Sequence, residues 1–359
     1  LRGRRAGRAE GVCAVVEQPA ARPDGTGSPR AGFGSLLRSE LHRFRSRRFI
    51  QLVLVLALVG WVVATVVALT QHGTPGPEEI ARAEQQITAD LELNEEFRQE
   101  CLADADIPAG ASPDDFCGPQ QDRDDYELAW YLDEAPFDLA ASGPPGALAF
   151  AGIGAVVAAL IGATWIGAEW STRSLVALLF WVPRRMQVVA AKLVVLTGAA
   201  VVLGVVAQGA WLAMAGILRA AVGLDAELPT GFWGDLLQTQ ARGVLLTVLA
   251  ALLAFGLTNL VRNTGAALGI AFVYLVVVEN LVRGIRPLWQ PWLLSENALA
   301  LVQQGGSTIY VYDGQPDADG MVEPIEYYVG HLQAGVLLGV VTLVVLGAGA
   351  VLFAKRDLQ

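Results

Sequence analysis

Lysine is almost missing from this sequence: Lys192 and Lys355 are the only two in 359 residues, and each follows Ala. A phosphate-cradling G-x-x-x-x-G-K-[ST] loop needs Lys after Gly, so the chain contains no P-loop and does not hydrolyse ATP through one. Histidine is as scarce, with His42, His72 and His331 alone, none of them in an H-E-x-x-H pattern. The three cysteines, Cys13, Cys101 and Cys117, are too far apart for a C-x-x-C redox or zinc motif. No G-x-S-x-G nucleophile elbow occurs either. No metal site and no catalytic set follows from these residues. Charge is sparse as well: 17% of the chain is charged, against about 25% in ordinary soluble domains.

Apolar residues take the place of charge, at 53% of the chain. A helix rises ~1.5 Å per residue, so about twenty apolar residues cross a ~30 Å hydrocarbon core. Six runs reach that length: Phe49–Leu69, Ala147–Ala168, Val188–Leu218, Gly243–Val261, Gly265–Val282 and Leu332–Ala354. They lack the alternation of a barrel strand, so the expected fold class is an all-α polytopic membrane protein with six transmembrane helices. None of the runs holds an Asp, which removes an aspartyl intramembrane protease.

The net charge of −10 conceals a strong asymmetry. Residues 71–146 carry 19 of the 35 acidic side chains and only three basic ones. Basic residues cluster instead before the first run, where residues 1–48 hold 11 arginines, and in the even-numbered connections. With both termini in the cytoplasm, 18 of the 25 basic side chains face inward, as the positive-inside rule favours. The expected localisation is therefore the plasma (inner) membrane, multi-pass, with cytoplasmic N- and C-termini.

The expected order along the chain is as follows. A disordered basic tail (1–34) precedes an amphipathic inner-surface helix (35–48), capped by Ser35, with Leu37, Leu41 and Phe44 on one face. The first span (49–69) leads to a large acidic extracytoplasmic loop (70–146), containing a helix over Glu78–Leu102 and a segment Tyr126–Leu139 that re-enters the interface through Trp130 and Tyr131. Cys101 and Cys117 are the only cysteines on the outer side, where a disulfide is permitted. Spans two to five occupy 147–283. Residues 284–331 form an extracytoplasmic re-entrant or gate region, with Trp289 and Trp292 as interfacial residues and a short helix over Leu293–Val302. The sixth span and a short tail complete the chain (332–359).

Ionisable groups within spans are costly, and for that reason informative. Glu279, with Arg283 one turn on, reads either as a local ion pair or as a polar point on a pathway. Lys192 is expected to snorkel to the inner surface. Asn259, Arg262 and Asn263 read as a polar helix end, and Gly152, Gly154, Gly204, Gly209 and Gly216 as close-packing positions.

The connection after the second span is the most specific segment. From Gly167 it reads GAEWSTRSLVALLFWVPRR to Arg185: Glu169 ends the span, Ser171 or Thr172 can cap a short helix, and Pro183 stops it. This pattern resembles the permease subunits of ABC transporters, in the type-2, exporter-like branch. The matching residues are Glu169, Ser174, Leu178, Leu179, Pro183 and Arg185, with Arg173 and Arg184 beside them. Leu257–Asn263 and the ending Phe353–Leu358 also resemble that family. The resemblance implies that 169–185 is a coupling helix docking on a separate ABC ATPase, that ATP and Mg are bound by that partner rather than by this chain, and that a second permease subunit completes the pathway. The other partners expected are membrane lipids, and no nucleic acid. A membrane-anchored sensor or assembly protein working through the acidic loop is the alternative reading.

Overall fold

Each of the six apolar runs folds as one long helix in the computed structural model, which describes residues 32–104, 112–172, 185–224, 226–312 and 323–355. Ahead of the first run, α1 (Phe33–Arg45) lies with Leu36, Glu40 and Phe44 buried. Its start is capped by backbone at Gly32, and Ser35 is not the cap but donates its hydroxyl to the Gly32 carbonyl. The expected apolar face is shifted too: Leu41 is exposed, and a glutamate takes its place in the buried stripe. The expected tail of 1–34 lies outside the described residues as far as position 31.

The membrane helices are α2 (Arg48–Gln71), α5 (Leu139–Ser171), α6 (Arg185–Val222), α7 (Phe232–Val261), α8 (Thr264–Ile285) and α10 (His331–Lys355). Helix α7 starts at Phe232, well before the apolar run that begins at Gly243. Helix α5 also starts early and carries Pro144 and Pro145 within it. Within α8, Val273–Val278 forms a wider π turn, immediately before Glu279.

Helix α7 is the centre of the bundle, packed against α5, α6 and α10, because small residues let the backbones meet. A Cβ at Gly162 would collide with the Ala251 carbonyl of α7, and one at Gly204 would come within 3.0 Å of Val244 Cα. Gly152, Gly209 and Gly216, expected at such contacts, face open space among the described residues. Helix α2 is peripheral, with 6% of its apolar window buried against 44% for α6. Trp61 ties it to the bundle, its indole N–H donating to the Ala210 carbonyl at 2.9 Å.

On the far side of the bundle, α3 (Pro77–Asp104) carries the acidic stretch, and Cys101 is disulfide-bonded to Cys117 at the end of α4 (Pro113–Cys117). The turn Leu128–Tyr131 packs back on α3 rather than dipping away from it: the Tyr131 hydroxyl donates to Asp90 at 2.7 Å. That bond to a carboxylate holds the phenol proton and pushes its pKa up to about 12.

The fold is not purely helical. After α9 (Leu294–Val302), strands β1 (Ser307–Val311) and β2 (Ile325–Val329) form an antiparallel hairpin with Ser307 opposite Val329. Its Ile309, Val311 and Val329 bury against Leu301, Val302, Ala334 and Leu338. Gly305 and Gly306 turn the chain into β1 at positive φ, where a side chain would be strained.

Candidate functional site

Three helices meet where α5 ends. On α5, Trp165 and Glu169 are one turn apart and share a face. Opposite them stand the stripe Leu36, Glu40 and Phe44 of α1 and the first turns of α6, where Val188, Val189 and Lys192 are buried. Lys192 does not reach for the surface. It is 0% exposed, and its ammonium donates to Glu40 Oε2 at 2.6 Å and to Glu169 Oε1 at 2.8 Å. Arg47, between α1 and α2, donates to the same Glu169 oxygen at 2.9 Å and to the Thr164 carbonyl at 3.2 Å. Arg43 approaches Glu40 Oε1 at 3.4 Å from the exposed side.

The Trp165 indole floors this cluster. Lys192 Nζ lies 4.6 Å and Arg47 Cζ 4.5 Å from its ring centroids, and the Phe44 ring meets it edge-on at 5.1 Å. Snorkelling keeps an ammonium hydrated, whereas here two carboxylates and a π face replace the water. A charge buried at such depth is tolerated only when paired, and removing one partner of such a pair costs ~3–5 kcal/mol. The cluster therefore fastens α1 to α5 and α6 at a defined register. Glu169 Oε2 and Trp165 Nε1 are buried and have no hydrogen-bond partner among the described residues.

One turn on, Trp170 anchors the end of α5 to the rest of the bundle. Its indole N–H donates to Asn259 Oδ1 at 3.2 Å, the Arg262 guanidinium stacks 4.5 Å above it, and Phe353 of α10 meets it edge-on at 5.9 Å. Arg262 closes α7 in the left-handed region, at φ 60°, and Asn263 caps α8 through the Ala266 amide. Arg185, first residue of α6, donates to the Ala354 carbonyl at 3.4 Å. Both ends of the segment between α5 and α6 are thus fixed on one face of the bundle, beside the end of α10. The Ser171 and Thr172 hydroxyls both donate back to the Ala168 carbonyl and close α5; the short helix that either was expected to cap lies outside the described residues.

Of the residues expected to couple, Glu169 and Arg185 are therefore placed at the two ends of that segment. Arg173, Ser174, Leu178, Leu179, Pro183 and Arg184 lie outside the described residues. Sequence reading missed Glu40, Arg47 and Trp165. The signal available was a Glu on an otherwise basic amphipathic helix, and a Trp one turn before Glu169.

The residues named for a pathway or gate behave differently from one another. Glu279 is wholly buried and accepts from both the amide and the hydroxyl of Ser295. Arg283 bridges Glu296 at 2.9 Å, the Ser295 hydroxyl at 2.6 Å and Glu279 at 3.5 Å. A carboxylate from α8 thus satisfies an orphan amide in the first turn of α9. Trp289 and Trp292 are not drawn into this group; they stand 62% and 67% exposed on the turn Pro287–Trp292. His72 and His331 are half-buried and engage the Ala68 and Ala300 carbonyls. No cluster of metal-ligating side chains occurs among the described residues.

Comparison with curated proteins finds no match. Comparison with protein families matches residues 37–358 to the ABC-2 family transporter proteins. That span takes in most of α1, all six membrane helices, and the acidic stretch with α3 and α4. A chain matched over nearly its whole length, with six helices able to cross a membrane and the segment 169–185 held at both ends, belongs to the ABC-2 family transporter proteins: it is a multi-pass permease subunit of an ABC transporter, a membrane transport component.

Proposed function

We propose that this chain is the membrane half of an ATP-driven exporter, in which two permease subunits form the pathway and two separate ATPase subunits, binding ATP and Mg, drive it through residues 169–185. The observation that carries this reading is the ionic cluster of Glu40, Arg47, Glu169 and Lys192. It makes α1, α5 and α6 one rigid unit at the point where the coupling segment leaves and rejoins the bundle. A push on that segment is transmitted to three helices at once instead of being absorbed by a loose loop.

The arginine-rich face carrying this cluster is the cytoplasmic one, and the disulfide-bonded acidic unit lies outside, where thiols oxidise. Binding and release of ATP rock the two permease halves, and α9, latched to α8 by Glu279 and Ser295, closes the outer end. Apolar surfaces on α2 and α8 favour amphiphilic or lipid-like cargo.

The test is substitution of Glu169 and Arg185 together by Ala, with recovery of the ATPase subunit measured after purification from the native membrane. Loss of association and of stimulated ATP hydrolysis is expected. Unchanged association and hydrolysis, with activity abolished instead by deleting 78–140, would favour a sensor acting through the acidic unit.

A further inference from the structure

An apolar groove of about 690 Å³ runs between α1, the start of α2 and α6. Leu37 and Leu41 of α1, Ile50 and Leu54 of α2, and Ile161 of α5 form its sides, and α6 forms its floor from Val194 to Val206. Twelve residues of helix extend ~18 Å, slightly more than the depth of one leaflet of a ~30 Å core. Leu41, Leu54, Val194, Val202 and Val206 are exposed, so the groove opens toward whatever surrounds the bundle. It exists because α2 stands away from its neighbours and because Gly198, Ala199 and Ala200 leave room in the floor.

The mouth has a definite charge. Arg45 lines it, and Arg38 and Arg48, within two turns of Arg45 along the chain, are exposed. The single acidic residue of α1, Glu40, is buried and paired with Lys192, so α1 offers these arginines no exposed carboxylate. A long apolar slot one leaflet deep with a cationic rim at membrane-surface level fits one kind of occupant: an amphiphile with an extended chain and a negative head. We propose that the groove binds one anionic phospholipid, its acyl chain along α6 and its phosphate at Arg45 and Arg48. A helix from a second copy would fill the slot but leave the arginine rim without a counter-charge.

The site has a consequence for coupling. Phe44 both lines the groove and meets the Trp165 ring edge-on at 5.1 Å. A chain in the groove therefore presses α1 from one side while Glu40 and Lys192 hold it from the other. That the leaflet concerned is the cytoplasmic one rests on the orientation proposed above; the groove and its charge do not.

Native mass spectrometry of the full chain in non-ionic detergent tests this without any ATPase, so its failure is distinct from failure of the coupling reading. The titrants are phosphatidylglycerol, phosphatidylcholine and inorganic phosphate. One phosphatidylglycerol retained per chain, favoured roughly tenfold over phosphatidylcholine, is expected, since each surface arginine adds attraction of roughly fivefold and two meet the phosphate. A side chain at Gly198 meets nothing within 4 Å on leaving the backbone. Gly198→Leu therefore enters the groove without a clash and favours the helix, and it should cut retained lipid at least tenfold. Arg45→Gln with Arg48→Gln should retain lipid but abolish the headgroup preference. Wild-type retention in Gly198→Leu overturns the proposal, as does equal retention of the two lipids by the unsubstituted chain or displacement of lipid by inorganic phosphate. Conversion of a dimer to a monomer by Gly198→Leu with lipid unchanged would assign the groove to a second copy.

Discussion

Two ion pairs of nearly the same length stand on opposite faces of this protein and do different work. Lys192 and Glu40 lie 2.6 Å apart, both at 0% exposure; Arg123 and Glu84 lie 2.7 Å apart at 42% and 45%. Distance does not separate them. Water does: the exposed pair exchanges one hydrated partner for another and gains little, whereas neither charge of the buried pair can lose its partner without remaining dehydrated. The buried pair therefore acts as a constraint on how α1, α5 and α6 sit together, and the exposed pair decorates a helix already held by other means.

That difference can be tested at graded cost. Lys192→Ala should have the largest effect, ~3–5 kcal/mol of lost stability, read as a lower melting temperature in detergent. Adding Glu40→Gln and Glu169→Gln should restore part of it, since the orphaned carboxylates then lose their charge. A Lys192→Ala chain that melts like the parent would place this pair in the same class as the exposed one. Replacing Cys101 and Cys117 by Ser removes a link between positions 16 apart, worth ~3 kcal/mol to the local structure in the chain-entropy model. Limited proteolysis should then cut α3 and α4 sooner, with the membrane helices unaffected.

Glu279→Ala should cost an intermediate ~1–3 kcal/mol, because it strands the Ser295 amide and leaves Arg283 a single carboxylate, Glu296. Hydrogen exchange should rise in the first turn of α9 and nowhere near Trp165. The smallest effect belongs to Glu84. Arg123 donates to its carboxylate and holds the pKa below the ordinary carboxylate value. A lowered folded pKa means that this contribution exists above the unfolded value and disappears as pH falls through the folded one. Acidification should thus loosen the outer unit slightly, and Arg123→Ala should remove that acid dependence while barely moving the melting temperature at neutral pH.

The membrane helices were legible in advance, because length and hydropathy are local properties and each span carries its own signal. The cluster where α1, α5 and α6 meet was not. Glu40 and Lys192 are 152 residues apart, and neither advertises the other. The lysine was misread as snorkelling because its long stem suits either outcome, and only the position of α1 decides between them. Glu169 was legible from the pattern around it, although the reason it is held, Arg47 and Lys192 on a single oxygen, was not. The hairpin escaped for another reason: Ser307–Val311 does alternate buried and exposed, but five residues are too few to outweigh the helical composition around them.

The most direct measurement of the central claim is disulfide or bifunctional cross-linking from single cysteines in a Cys13→Ser background, with the outer disulfide left intact. A cysteine at Leu178, in the segment between α5 and α6, should cross-link to the ATPase subunit in native membranes and change its yield when ATP is added. A cysteine at the exposed Trp130 of the outer unit should not. Cross-linking of the ATPase from position 130, or none from position 178 in a complex that still hydrolyses ATP, would contradict the account.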